Sequence, residues 1–324
     1  MSFSKYLAYP ALLLICGLHG RDLPSNVVLW QDPGDISARN LIFGSGGEKD
    51  QPKGTTFQFV KEDLSGSSPK YVVTDADGHK WKLKLGNEAQ AETAASRLLW
   101  AVGYMTDDYY LIPEAHIQGL PPNLRRGSRW FGADGLVHNA RLKRDPEGFK
   151  KVGEWEWKQN PFSGTREFNG LRVLMAVINN WDLKDVNNAV YDSAHERIYM
   201  VSDLGGSFGK TGVGPGHNTG HGNTASFEKS AFLTEASSDY VDFATPGSPA
   251  KVVLFAPNIY KYRESLKWIG DHIPRADAKW IGELLGRLTP QQIRDAFRAG
   301  GYSQAEVEQL ATVIEGRIAE LKRL

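Results

Sequence analysis

Between Thr56 and Leu85 the chain alternates apolar and polar residues with a period of two, the pattern of strands with one buried face. It predicts strands at Thr56 to Val60, Tyr71 to Thr74 and Lys80 to Leu85, with Asp77-Gly78 turning the chain between the last two. In the third strand Trp81, Leu83 and Leu85 alternate with Lys80, Lys82 and Lys84, so one face is apolar and the other basic. The period then becomes helical. Ala91, Ala95, Leu98, Leu99 and Val102 form a stripe, Asn87 is placed to cap it and Gly103 to end it. Strand-like runs return at Tyr109 to Ile112 and Val137 to Leu142, on either side of a Pro-, Gly- and Arg-rich insert (Pro121 to Arg129). After a segment with Trp155 and Trp157, read as packing residues, Thr165 to Asn180 reads as a helix with Leu171, Leu174, Val177 and Ile178 on one side. A short hairpin follows, from Ala189 to Tyr191 and Ile198 to Ser202 across a polar turn.

The remainder reads as helical. Asp277 to Leu288 is periodic, Thr289-Pro290 supplies a cap and a first-turn proline, and Gly300-Gly301 stops that helix. Ser303 and Glu306 form a capping box for the next helix. Residues 20 to 54 are rich in Gly, Asp, Pro and Ser and read as a loose leader with one short strand at Val27 to Trp30. The fold class expected is α+β: a β-rich part at residues 55–148 and a helical part at 149–324, preceded by a leader at 21–54.

With 324 residues, of which 41% are hydrophobic, the chain can bury a substantial core. Its formal net charge is zero, which gives no general pull toward nucleic acid, and none is expected as a partner. The single cysteine, Cys16, excludes a disulfide framework and a Cys-rich zinc site. Leu7 to Leu18 is an apolar run behind Lys5, too short to span a bilayer but suited to an export signal within residues 1–20. Cys16 after Leu13-Leu14-Ile15 only partly matches a lipoprotein signal, since Ile15 stands where a small residue belongs. These residues are the one sequence route to membrane association; without an export signal the expectation is a cytoplasmic chain.

The chemistry is concentrated at Asn180 to Asn188. The run contains Asp182-Leu183-Lys184, then Asn187 five places after the aspartate, and Asp203-Leu204-Gly205 stands directly after the hairpin. A loop behind a helix presents an aspartate and, a turn later, an amide oxygen; the hairpin then returns a second carboxylate beside the first. This order resembles the catalytic loop, hairpin and metal-binding Asp-x-Gly of the atypical protein-kinase-like superfamily, which includes HipA-type, spore-coat and lipid kinases. The resemblance covers roughly residues 55 to 215. It implies a two-lobed fold with ATP between the lobes, Asp182 as general base, and Asn187 and Asp203 as ligands of Mg²⁺ or Mn²⁺. Asn188 is the alternative ligand if the register slips by one.

The same resemblance implies a strand lysine and a helix glutamate upstream. Lys84 is preferred to Lys82 as the phosphate-binding lysine, and Glu92 is its partner, with Glu88 in competition. Ser65, Gly66 and Ser67, followed by Ser68, lie between the first two strands, where backbone N–H groups can approach phosphate oxygens. Adenine is expected against the linker from Arg144 to Phe149. Asn180-Trp181 stand where a protein kinase has His-Arg, Leu204 replaces the usual phenylalanine, and no Ala-Pro-Glu motif is evident, so control by an activation-loop phosphate is not expected. His217 and His221 lie in a glycine-rich run, read as a loop after the Asp-x-Gly rather than a metal site. The reaction implied is transfer of the γ-phosphoryl group to a hydroxyl of a protein, lipid or small molecule. The alternatives are AMP transfer from the same cleft and a nucleotide-binding pseudokinase scaffold. An export signal would conflict with a need for ATP.

Overall fold

The computed structural model describes residues 26–324 apart from 67, 87, 133, 210–222 and 246–256. The export segment 1–20 with Cys16, the capping Asn87, and His217 and His221 therefore lie outside the described residues.

Residues 26–54, expected to be loose, are packed. Strand β1 (Val27–Val28) runs parallel to residues 197–198, and Leu29, Ile36 and Leu41 are each only 1% exposed. Arg39 lies over the Trp100 ring, and Gln292 Nε2 donates to the carbonyls of Ile36 at 2.7 Å and Arg39 at 2.9 Å. The apolar residues of this stretch are too sparse to make a periodic pattern, yet Leu29, Ile36 and Leu41 fill places in the core, with Val27 and Trp30 packed against it.

The next five strands close into a barrel. β2 (Thr56–Asp63), β3 (Lys70–Thr74) and β4 (Lys80–Lys84) form an antiparallel meander. After helix α1 (Glu88–Ala101) come β5 (Tyr109–Gln118) and β6 (Leu136–Lys143), and the barrel order is β2-β3-β4-β6-β5, closed by parallel pairing of β5 with β2. Phe57, Tyr71, Val73, Trp81, Leu83, Val137 and Leu142 fill its interior. Buried Asp75 fastens the β3–β4 turn: it accepts from the backbone N–H groups of Asp77 and His79 and from Trp81 Nε1. Strand β5 runs through Pro113, where the sequence predicted an end. Only Thr56 to Gln58 of β2 pair with it, beyond the proline, and Asn139 on β6 takes a φ of 52° between the paired residues 138 and 140. The missing proline N–H thus falls at an irregularity of the ladder.

The insert is ordered over the barrel. Leu120, Leu124, Trp130 and Phe131 pack against its core, and Glu62 accepts from the backbone N–H groups of Arg125 and Arg126. Helix α1 is buried on nearly every face rather than along one stripe. Its many alanines let it lie between the barrel and the helices that follow, which is why a one-sided stripe understates its burial.

Strands β7 (Lys150–Gly153), β8 (Ala189–Asp192) and β9 (Arg197–Met200) join β1 in a four-stranded sheet of order β1-β9-β8-β7. Helix α2 (Arg166–Val177) begins at the cap Thr165, whose side chain accepts from Phe168 N. Then come α3 (Thr224–Glu228), β10 (Leu233–Ala236), β11 (Tyr240–Phe243) and α4 (Pro257–Gly270). Strand β12 (Ile273–Pro274) is followed by α5 (Arg275–Leu285), α6 (Pro290–Ala299) and α7 (Gln304–Lys322). Capping boxes at Thr289/Gln292 and Ser303/Glu306 open the last two helices. The whole is a mixed α/β fold. Among the described residues no helix is long and apolar enough to cross a membrane.

Candidate functional site

On β4 the three lysines fare differently. Lys80 is exposed, and half-exposed Lys82 bonds both carboxylate oxygens of Asp145 at 2.8 Å. Lys84 is only 4% exposed, so it does not belong to a solvated face. Its Nζ contacts three carboxylates: Glu88 Oε2 at 2.7 Å, Asp203 Oδ1 at 2.8 Å and Glu92 Oε2 at 3.2 Å. Both candidate glutamates, one helical turn apart on α1, therefore reach the same ammonium, joined by an aspartate 119 positions away.

Cross-strand register lines up the cations. Lys70 on β3 and Arg141 on β6 are the direct partners of Lys84 on either side. Like charges set directly opposite repel. Arg141, 5% exposed, is balanced by Glu92, whose Oε2 accepts from its Nε at 3.1 Å and lies in ion-pair contact with its Nη2, also at 3.1 Å. Its guanidinium also lies 4.6 Å from the Tyr109 ring centroid. Burial alone would raise the Glu92 carboxyl, but Arg141 and then Lys84 bring it down to about 2. Burial likewise opposes the charge on Lys84, yet Glu92 and Asp203 outweigh it and raise its pKa. Asp203 is pushed up, by burial and then by the charge of Glu92, against the pull of Lys84.

Asp203 has a left-handed backbone (φ 54°, ψ 51°) and opens a 3₁₀ turn over Leu204–Gly206. That conformation favours residues such as Asp, Asn and Gly. The turn presses on both halves of the site. A Cβ on Gly205 would lie 2.7 Å from Glu88 Cβ, and one on Gly206 would lie 2.9 Å from Asn180 Oδ1 and 3.1 Å from Asp182 Cβ. Only glycines allow α1, the Asp203 turn and the Asp182 loop to approach so closely.

The Asp182 loop is held from within. Asn180 Oδ1 accepts from Asp182 N at 3.1 Å, and Trp181 Nε1 donates to Asn179 Oδ1 at 2.6 Å. Asn179 Nδ2 reaches the Gly209 carbonyl, so the residues before the aspartate are tied to those beyond the glycine turn. Asp182 is partly exposed and pairs with Lys184 at 2.7 Å. Asn187 ends a 3₁₀ turn (Asp185–Asn187), and its Nδ2 donates to the Asp182 carbonyl at 3.3 Å. Asn188, the alternative ligand, is 2% exposed and donates to the Trp155 carbonyl, which places it in the core. Trp155 and Trp157 are buried and in mutual contact at 4.9 Å. The loop also borders a cleft of about 410 Å³ lined by Trp157, Leu183, Lys184, Val186, Leu266 and Trp268, among others.

The Ser65–Ser68 loop is fastened at several points, although Ser67 itself lies outside the described residues. Ser68 Oγ donates to Glu88 Oε2 at 2.9 Å, and Arg126 of the insert donates to the carbonyls of Asp63 and Gly66. Half-buried Lys70 donates to Ser65 Oγ at 3.3 Å, and burial lowers its pKa. No carboxylate among the described residues lies within ion-pair distance of it. The linker at Arg144 to Phe149 is tied to the barrel through Asp145, which also accepts from Tyr191 OH at 3.2 Å. A cavity of about 150 Å³ beside it is lined by Trp81 and Tyr110. By strand alternation that is the face of β4 opposite Lys84.

The structure thus brings Lys84, Glu88, Glu92 and Asp203 into direct contact, sets Asp182 against the same glycine turn and places the serine loop on Glu88. Sequence reading passed over Arg141, Lys70 and Asn179, and noted Asn180 only as the residue in place of a histidine, with no role for its side chain. Arg141 and Lys70 had one available signal, a polar residue within an otherwise apolar strand pattern; the two asparagines had none. Among the described residues no group of three or more His, Cys, Asp or Glu side chains is arranged to hold a metal ion.

No protein family matches the sequence, and no curated protein does. Among solved structures the chain is similar to a Helicobacter pylori proinflammatory kinase, CtkA, at 10% identity and a TM-score of 0.47, over 84% of this chain and 97% of that one. A likeness this distant carries no argument about function.

Proposed function

We propose that the chain is an ATP- and Mg²⁺-dependent phosphotransferase acting on a hydroxyl acceptor, with the barrel as the smaller lobe and the residues from 149 onward as the larger. The observation that carries this reading is the convergence of Lys84, Glu88, Glu92 and Asp203 at one buried point, with Asp182 packed on the Asp203 turn. A structural ion pair needs one carboxylate; a lysine held by three, one of them on a strained turn two-fifths open to solvent, is suited to handing its charge to an incoming phosphate.

The donor set fits a magnesium ion. Such an ion takes one or two protein oxygens and completes its shell with phosphate oxygens and water. Asp203 would supply a carboxylate oxygen and Asn187 its amide oxygen, the amide N–H being spent on the Asp182 carbonyl. When bound, the ion would neutralise charge on the transferring phosphoryl group. Lys84 would hold phosphate oxygens, Lys70 would stand over them from the adjoining strand, and the Ser65–Ser68 loop would cover them. Asp182 would receive the proton of the attacking hydroxyl; its side chain is partly exposed and contacts Lys184 at the surface.

The test is one preparation with two variants. Wild type should bind ATP far better with Mg²⁺ than without. Asp203→Ala should lose that difference, and Asp182→Asn should keep Mg·ATP binding while transfer falls about 10²–10⁴-fold. ATP binding that is indifferent to Mg²⁺, or transfer unchanged in Asp182→Asn, would reject the assignment.

A further inference from the structure

We propose that Arg141 is the positioning residue of this site: it holds Glu92 in place so that Lys84 can leave that carboxylate for a phosphate. The inference rests on the functional reading above and adds a residue to it. Glu92 is 1% exposed and Arg141 5%, so neither charge is relieved by solvent. One oxygen, Glu92 Oε2, is shared by two cations: it lies 3.2 Å from Lys84 Nζ, accepts from Arg141 Nε at 3.1 Å and is in ion-pair contact with Arg141 Nη2 at 3.1 Å. If Lys84 were the only counter-charge, drawing it toward a substrate would strand a buried carboxylate, which is strongly unfavourable. With Arg141 present, the Nε hydrogen bond and the guanidinium charge remain when the lysine swings away.

The surroundings suit that division of labour. Arg141 cannot follow Lys84, since its guanidinium is packed on Tyr109 and its strand lies between β4 and β5. Lys84, by contrast, already has second and third partners in Asp203 and Glu88, nearer than Glu92. Helix α1, which carries both glutamates, is also fixed at Gln90, whose side chain donates to the Gly301 carbonyl at 2.9 Å. Glu92 therefore stays put while the ammonium moves.

The experiment measures the KM for Mg·ATP and kcat in wild type, Arg141→Met, Arg141→Lys and the double variant Arg141→Met/Glu92→Gln, with melting curves as the check on folding. Arg141→Met should raise KM about 10- to 100-fold with a smaller change in kcat, because Lys84 is captured by a carboxylate left with no other counter-charge in contact. Adding Glu92→Gln should bring KM back down, since a neutral amide has no such hold on the lysine. Arg141→Lys, which keeps the charge but not the planar guanidinium, should fall between wild type and Arg141→Met; should Arg141→Met not fold, Arg141→Lys becomes the parent, and Arg141→Lys/Glu92→Gln should relieve its rise in KM. A double variant with a higher KM than its single parent, or an Arg141 variant with wild-type KM, would overturn the role. Wild type that neither binds nor uses Mg·ATP would instead overturn the functional reading, and this inference with it.

Discussion

Glu92 shows how a single residue can be ionised at almost no exposure. Its carboxyl stands at about 2 because Arg141 and Lys84 more than offset the effect of burial. A depressed acid contributes stability above its unfolded value, and that contribution is lost as the pH falls through the folded one. The stability gap between wild type and Glu92→Gln should therefore be widest near neutrality and shrink between pH ~4.5 and ~2, by on the order of 3 kcal/mol. Urea unfolding at stepped pH would measure it, and a gap that does not change over that window would contradict the assignment. At this scale the sequence was informative where a residue type broke a pattern: Asp182, Asn187 and Asp203 stood out as polar residues in a fixed order around a hairpin. It preferred Glu92 to Glu88 as the partner of Lys84, whereas the two lie one turn apart on the same helix and both reach it. The roles of the Asn179 and Asn180 side chains were illegible for a different reason: they tie local backbone and the Trp181 ring, which leaves no trace in spacing.

Helix α2 delivers the chain to the Asp182 loop, and its end is secured from a distance. Arg317 on α7 donates from Nη1 to the carbonyls of Ala176 at 2.9 Å and Val177 at 2.8 Å, with Phe227 and Phe232 against its guanidinium. A cation at the carbonyl end of a helix satisfies acceptors that have no partner within the helix and matches the helix dipole. Burial lowers the Arg317 pKa to about 10, still high enough for the side chain to remain charged at neutral pH. Arg317→Met should cost about 2–3 kcal/mol of stability, read as a fall in the unfolding midpoint, and should loosen the loop that begins at Asn179. No loss of stability would show that water replaces the arginine without penalty. Elements with local signals were legible: the β3–β4 turn from Asp77-Gly78, and α6 and α7 from their capping residues. Strand β5 was predicted too short because Pro113 reads as a stop, and only its neighbours in the ladder reveal that the proline is tolerated there.

At the scale of the molecule, the barrel is built from a continuous stretch, residues 56–143, while the rest of the core is assembled from distant pieces. The sparse apolar residues of 26–54 belong to that second core, which is why a reading window of ten or twenty residues saw only a leader. A chain begun at residue 55 would uncover the sites of Leu29, Ile36 and Leu41 and remove the partners of Gln292. It should express poorly or melt well below a chain begun at residue 26, whereas equal melting temperatures would mean that the segment is dispensable. The contacts of Gln292 with Ile36 and Arg39 span more than 250 positions, and they bear on the time at which the protein can be finished. On a ribosome the barrel strands emerge and can close early, and Arg39 can meet Trp100 soon after, but the carbonyls of Ile36 and Arg39 must wait for α6 to be translated. At ordinary elongation rates that delay is on the order of tens of seconds, during which water must stand in for the amide of Gln292 at those carbonyls.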